Sequence, residues 1–340
     1  MKIDFRSDTV TKPGAEMLEA MMQAKVGDDV FGEDPAVNEL ERKAAALFGM
    51  EHAVYCPSGT MTNQIALNIL SQPYEEVICY SGAHIYKYEG GGGAGNSGLS
   101  FKLIEGDNGI LSAEEIEQNI NPDDVHYPRT SIIGLENTVN KGGGCYYTLE
   151  RIKEIKQIAD KHGLYLHLDG ARLFNALAET GESPLEYGRI FDTISICLSK
   201  GLGAPVGSLL LSNKELGKKA RRIRKVFGGG MRQAGFLATA GIYALDHHRE
   251  RLVEDHKKAK RLAGVLEKLP FVEKVIPVYT NIVIFKLSNG KRSADFVELM
   301  KSRGIGSVSF GPHEVRFVTH LDITDSMMDE AIEILQSIKF

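Results

Sequence analysis

Short apolar runs alternate with helix-period segments over most of this chain, and that alternation constrains the fold more than any other feature. The runs Ala53–Cys56, Val77–Tyr80, Phe101–Ile104, Ser131–Leu135, Leu164–Leu168 and Thr193–Cys197 read as strands. Between several of them lie helices with clear end signals. One opens with Asp34 as N-cap and Pro35 in the first turn, then places Val37, Leu40, Ala44 and Leu47 on one stripe. Another runs from Leu149 to about His162 and stops at Gly163. Such alternation predicts an α/β fold: a mostly parallel sheet with helices on both faces.

After about Ala244 the pattern changes. A long charged helix is expected from Asp246 to about Leu269. It leads into Phe271–Val275, a strand Asn281–Phe285, a helix near Ala294–Arg303, a strand Val315–Val318 and a last helix from about Thr324. This reads as a small C-terminal α+β domain. The expected division is an N-terminal arm over 1–14, a large domain over 15–245 and a small domain over 246–340.

Composition removes several function classes. With 43% hydrophobic and 25% charged residues among 340, the chain is neither disordered nor fibrous. Its net charge of −5 gives no bulk positive field for nucleic acid or anionic lipid. The basic run Lys218–Lys225 has few aromatics and reads as a solvated helix face or an electropositive lip. No metal site is expected: the four cysteines form no C-x-x-C pair, and His247 and His248 are adjacent, so on a helix they do not face one another. Cys56, Cys79 and Cys197 lie in apolar runs as small hydrophobes. No apolar stretch is long enough to span a bilayer and the N-terminus has no signal-peptide core, so the expectation is a cytoplasmic protein without a membrane partner.

Ligands of open α/β sheets bind beyond the carboxyl ends of the strands, and three segments there carry chemistry. Pro57-Ser58-Gly59-Thr60-Met61 opens a helix whose free N–H groups and hydroxyls suit an anion, or simply cap the helix. Asp169, followed by Gly170, Ala171 and Arg172, suits a magnesium ion, a general base, a cationic ring nitrogen or a helix cap. Lys200 follows an apolar strand inside Ser199-Lys200-Gly201-Leu202-Gly203-Ala204-Pro205, where an amine suits Schiff-base chemistry or a solvated loop. Together an anion cradle, a carboxylate and a strand-end lysine match the needs of pyridoxal 5′-phosphate: phosphate seat, protonated ring nitrogen and amine attachment. Magnesium-dependent phosphoryl transfer would leave the lysine without a task.

At this point the sequence resembles the low-specificity L-threonine aldolases, fold-type-I pyridoxal-phosphate enzymes, over nearly its whole length. The resemblance is carried by Arg6-Ser7-Asp8-Thr9-Val10-Thr11-Lys12-Pro13 and Gly27-Asp28-Asp29-Val30-Phe31-Gly32-Glu33-Asp34-Pro35. Further along it is carried by Ser58-Gly59-Thr60-Met61, Ala83-His84-Ile85 with Tyr88-Glu89, Leu135-Glu136-Asn137-Thr138, His167–Arg172 and Ser199–Gly207. Two departures stand out. Val139 occupies a position where the family commonly has His, and Gly90–Gly95 is unusually glycine-rich, reading as a flexible loop near the site.

The resemblance implies cleavage of L-threonine or L-allo-threonine to glycine and acetaldehyde. It makes Lys200 the residue that carries the cofactor and Asp169 the partner of its ring nitrogen, with Ala171 beside it. Ser58, Gly59, Thr60 and Arg232 are implied for the phosphate, and His84 for the cofactor face. Ser7, Arg172 and Arg316 are implied for the substrate carboxylate. His84 and His126 are implied for the β-hydroxyl, with a water held by the phosphate as a further candidate base. It also implies a homodimer, extended to a tetramer. Other pyridoxal-phosphate reactions, β-elimination or transamination, are the rival reading; a nucleic-acid-binding protein is a more distant one.

Overall fold

A computed structural model describes residues 1–340. Its largest sheet has seven strands in the spatial order His52–Cys56, Ser208–Ser212, Thr193–Cys197, Tyr165–Gly170, Thr130–Glu136, Glu76–Tyr80 and Ser100–Ile104. All six expected strands form within it. Ser208–Ser212 is the seventh, antiparallel to both neighbours. Thr130–Glu136, Thr193–Cys197 and Ser208–Ser212 are buried at every position, which is why they read as continuous apolar or small runs rather than alternating ones.

The flanking helices form for the reasons their ends announce. Asp34 accepts hydrogen bonds from the N–H groups of Ala36 and Val37 at the head of Pro35–Phe48, and Gly49 closes that helix in the left-handed conformation. Val37, Leu40 and Ala44 are buried against the sheet. Leu149–His162 ends at Gly163 in the same way.

The expected long helix from Asp246 is instead two, Gly235–His247 and Leu252–Leu266. At the break His248 Nδ1 donates to the Leu202 carbonyl at 2.7 Å, and Arg249 Nε takes the Leu245 carbonyl at 2.6 Å. Side chains there bind main-chain carbonyls and turn the chain where the charge pattern alone continues. The glycine-rich run also departs from expectation. Gly92–Ser97 is a short helix with Gln64 against Gly92 and Phe101 against Gly93, so the glycines permit close packing rather than looseness.

Beyond residue 271 a four-stranded antiparallel sheet orders Val308–Ser309, Glu314–Val318, Ile282–Leu287 and Val272–Val275. A second core of Phe271, Phe285, Phe296 and Phe317 lies between it and its helices. The chain start belongs to this core. Ile3–Asp4 pairs in parallel with Ile305–Gly306, Phe5 is fully buried, and its carbonyl accepts the N–H of Val318 at 2.9 Å. Residues 6–12 are thereby drawn along the carboxyl ends of the large sheet's parallel strands. No helix is long and apolar enough to cross a membrane.

Candidate active site

A cavity of about 360 Å³ opens between those strand ends and the small sheet. Ser7, His84, Arg172, Lys200 and Arg316 all line it, brought from five separate segments. Lys200 follows the strand Thr193–Cys197 in a turn held by its own carbonyl, which accepts the N–H of Gly203 at 2.8 Å and the Thr11 hydroxyl at 3.0 Å. Gly203 has φ +76°, and a Cβ there would meet Leu321 at 2.8 Å, so the sharp return requires glycine.

Asp169 ends the strand Tyr165–Gly170 and is 2% exposed. Its Oδ1 accepts the N–H of Ala171 at 3.1 Å and its Oδ2 the amide of Asn63 at 3.0 Å. Both donors are neutral, and no lysine or arginine pairs with this carboxylate. A buried carboxylate with spare lone pairs and no ion pair is suited to a cationic N–H from a bound ring.

Asn63 anchors this centre. Its amide nitrogen also donates to Glu89 Oε1 at 2.8 Å, while its carbonyl faces His167 Nε2 at 3.2 Å. His167 is wholly buried; desolvation, outweighing the nearby Asp169 charge, lowers its pKa to about 4 and keeps it neutral. Glu89 further accepts the Gln64 amide at 2.6 Å and faces His84 Nδ1 at 3.0 Å. Burial opposes charge on His84, but Glu89 and Asp169 outweigh it and hold its pKa above the ordinary value. With Nδ1 turned to Glu89, the other ring nitrogen is free for a ligand. His84, Glu89 and Asp169 lie close enough to share an ion, but the Asn63 amide already bridges the two carboxylates.

Beneath them Glu136 is buried, and desolvation reinforced by Asp169 raises its pKa. It accepts the backbone N–H of His84 at 2.7 Å and of Asn140 at 2.8 Å, tying two cavity loops together. Val139, in place of the family's His, is 1% exposed and packs in the core, so position 139 presents nothing to the cavity.

The cationic wall is asymmetric. Arg172 directs Nε and one terminal nitrogen to Asp8 at 2.8 and 2.6 Å. Asp8 is fully buried; burial would raise its pKa, but the Arg172 guanidinium holds it well below the usual carboxylate range. Arg316 has no carboxylate partner. It donates to Asn140 Oδ1 at 2.9 Å and the Arg6 carbonyl at 3.1 Å, and its Nε is buried without an acceptor. Desolvation, with Arg172 repelling, lowers its pKa to about 10. An underused guanidinium beside a second one is an anion site in waiting.

The helix Gly59–Ile69 supplies another. Ser58 caps it through Met61 N–H at 3.2 Å, leaving the first two N–H groups, of Gly59 and Thr60, without intrahelical acceptors. Ser58 and Thr60 are exposed. A Cβ on Gly59 would sit 2.6 Å from Cys197 Sγ, so glycine lets the helix start hug the sheet edge.

Ser58, Gly59, Thr60, Asp169 and Ala171 are outside the cavity lining, and two further expected residues sit on exposed surface. His126 occupies an exposed turn, its side chain 81% exposed and Nδ1 bonded to Asp124 at 2.6 Å, outside the cavity lining. Arg232 is exposed and paired with Asp28 at 2.9 Å. In the basic helix Lys214–Val226, Arg221 pairs with Glu41 and Arg224 is buried against Asp29, so part of its charge is compensated internally. Sequence reading assigned no role to Asp8, Asn63, Glu89, Glu136 or His167. Several sit inside the family-like motifs, but their partners are remote in sequence.

The beta-eliminating lyase family model matches residues 4–289. A low-specificity L-threonine aldolase of Escherichia coli K12 is 43% identical over 329 residues, covering 96% of each chain. Low-specificity L-threonine aldolase 1 of Arabidopsis thaliana is 38% identical, covering 95% of this chain and 92% of its own. Among solved structures, a threonine aldolase of Leishmania major superposes with a TM-score of 0.85 at 23% identity, over 98% of both chains.

Proposed function

Since this chain belongs to the beta-eliminating lyases and, within them, to the low-specificity L-threonine aldolases, we propose that it cleaves L-threonine and L-allo-threonine to glycine and acetaldehyde. Its cofactor is pyridoxal 5′-phosphate. When bound, that group supplies an electron sink for the pair released at Cα. Lys200 would be the attachment point, Asp169 the partner of the ring nitrogen, and Gly59 and Thr60 with Ser58 the phosphate seat, completed by Arg232 of a neighbouring copy, since Arg232 is exposed and paired with Asp28 in its own chain. Supporting this fit, Asp169 is a buried carboxylate met only by neutral donors, behind the cavity wall and within 4.8 Å of His84, which lines the cavity with Lys200.

The protein's own residues then do the positioning. Arg316, with its free Nε, and Arg172, backed by Asp8, hold the substrate carboxylate beside Ser7. That clamp would set which bond at Cα is presented for cleavage. His84 would help hold the cofactor and, with Nδ1 engaged by Glu89, would move the β-hydroxyl proton at its other nitrogen. The Cα–Cβ bond breaks, the aldehyde leaves, and Cα takes a proton to give glycine.

His126, exposed and outside its own chain's cavity, acts at the site of a neighbouring copy in a homodimer that pairs into a tetramer. The arm over 1–14, the large domain over 15–245 and the small domain over 246–340 are the units of this assembly. Four unpaired, buried cysteines suit the reducing cytoplasm. The observation that carries the reading is the meeting of Lys200, His84 and an Arg316 without a carboxylate partner in one cavity. The test is incubation with each threonine diastereomer while acetaldehyde, ammonia and keto acid are quantified. Acetaldehyde matching glycine is expected; ammonia or keto acid as the main product would overturn it.

A further inference from the structure

One cation in the cavity has no task in threonine cleavage. Lys141, half-buried after Asn140, lines the same cavity as Arg316 and makes no ion pair. Its ammonium lies 3.8 Å from the centre of the Phe310 ring and 5.8 Å from that of Tyr88. Phe310 also carries Arg316, whose guanidinium carbon is 5.2 Å from the ring centre. Both cations therefore lie against one aromatic ring.

The charge balance of the lining makes this unusual. Lys141, Arg172, Lys200 and Arg316 face the cavity, and no carboxylate does. Asp8 compensates Arg172 from behind, the cofactor engages Lys200, and the substrate's α-carboxylate answers Arg316. Lys141 is left over, and π-faces alone hold it weakly.

Resting on the aldolase reading above, we propose that Lys141 is a specificity-determining residue that admits β-hydroxy-α-amino dicarboxylates, with the second carboxylate on Cβ. Arg316 and Lys141 can be no further apart than their two distances to the Phe310 ring laid end to end. Both cations are therefore within reach of the two carboxylates of one short dicarboxylate. The reaction balances without a co-reactant. The β-hydroxyl proton leaves its oxygen, Cα–Cβ breaks, Cα gains a proton, and the products are glycine and an aldehyde acid.

The probe is 3-hydroxy-L-aspartate, whose cleavage gives glycine and glyoxylate, with L-threonine as control. Lys141→Met removes the charge while keeping an unbranched side chain; Lys141→Arg retains it. In Lys141→Met, kcat/KM for 3-hydroxyaspartate should fall about tenfold, through KM, with threonine kinetics within about twofold. Lys141→Arg should keep the preference. Calorimetric titration with uncleavable L-aspartate and L-alanine adds a binding readout: the preference for aspartate should vanish in Lys141→Met alone. Equal losses on both substrates in Lys141→Met, or threonine cleavage without 3-hydroxyaspartate cleavage in the wild type, would overturn the assignment. If neither compound is cleaved, the aldolase reading itself fails and this one with it.

Discussion

Asp8→Asn tests whether the cationic wall depends on one buried counter-charge. The substitution keeps shape and one acceptor but removes the negative charge that Arg172 meets at 2.6 and 2.8 Å. Both side chains are buried, so Arg172 would be left uncompensated beside Arg316, itself without a carboxylate. Removing one partner of a buried pair costs about 3 to 5 kcal/mol, and the retained acceptor places this case near the lower end. For a chain of this size about 3 kcal/mol lowers the melting temperature by about 4 °C. The assay is scanning calorimetry of the holoenzyme at one scan rate.

A pH series adds a signature specific to this carboxylate. Asp8 has its folded pKa depressed by Arg172. Its contribution is therefore complete above the unfolded value of about 3.9 and is lost as pH falls towards the folded one. The wild type should lose more stability than Asp8→Asn below about pH 4, the two curves converging. Saturating glycine, whose carboxylate supplies a replacement anion, should restore part of the variant's melting temperature. Equal melting temperatures at pH 7, with parallel acid limbs, would refute the argument that Asp8 compensates the wall.

Lys200→Ala should remove both turnover and the visible absorbance of the bound cofactor, measured on the purified protein; normal turnover would place the attachment elsewhere. Arg316→Lys keeps the charge but loses the planar fork, so KM for threonine should rise about tenfold or more while cofactor content, read by absorbance, stays unchanged. Gly59→Ala drives a methyl into Cys197 Sγ, 2.6 Å away, and should weaken cofactor retention on dialysis. The double variant Gly59→Ala with Cys197→Ala should recover much of it; no recovery would mean that the loss came from something other than this contact.

Much of the fold was legible because its signals are local. Strand-length apolar runs, Asp34 with Pro35 at a helix start and Gly163 at a helix end each act within a few residues, and each formed as read. Ser208–Ser212 escaped because it is antiparallel in a sheet read as parallel and lies directly beyond the lysine loop. The break after His247 escaped because His248 and Arg249 spend their donors on carbonyls, one of them 46 residues away. The glycine run misled for a related reason: what decides its shape is contact with Gln64 and Phe101.

The site divides along the same line. Lys200, Asp169 and the Gly59 helix start could each be singled out from one segment beside a strand end. What keeps them competent is a set of distant pairings: Asp8 with Arg172, Glu136 with the backbone of His84 and Asn140, and Asn63 joining Asp169, Glu89 and His167. These pairings share one electrostatic logic. Each carboxylate is buried behind the cavity wall, where it sets the position or protonation of a neighbour, whereas the wall itself presents cations and His84. A cavity charged in that sense suits the carboxylate of an amino acid. Asp169, buried and without an ion pair, is the acid in this set whose charge nothing on the chain neutralises. Because the acids are also the hydrogen-bond acceptors that fix the loops, neutralising one alters both the field and the geometry, and substitutions at Asp8, Glu89 and Glu136 should therefore couple rather than add.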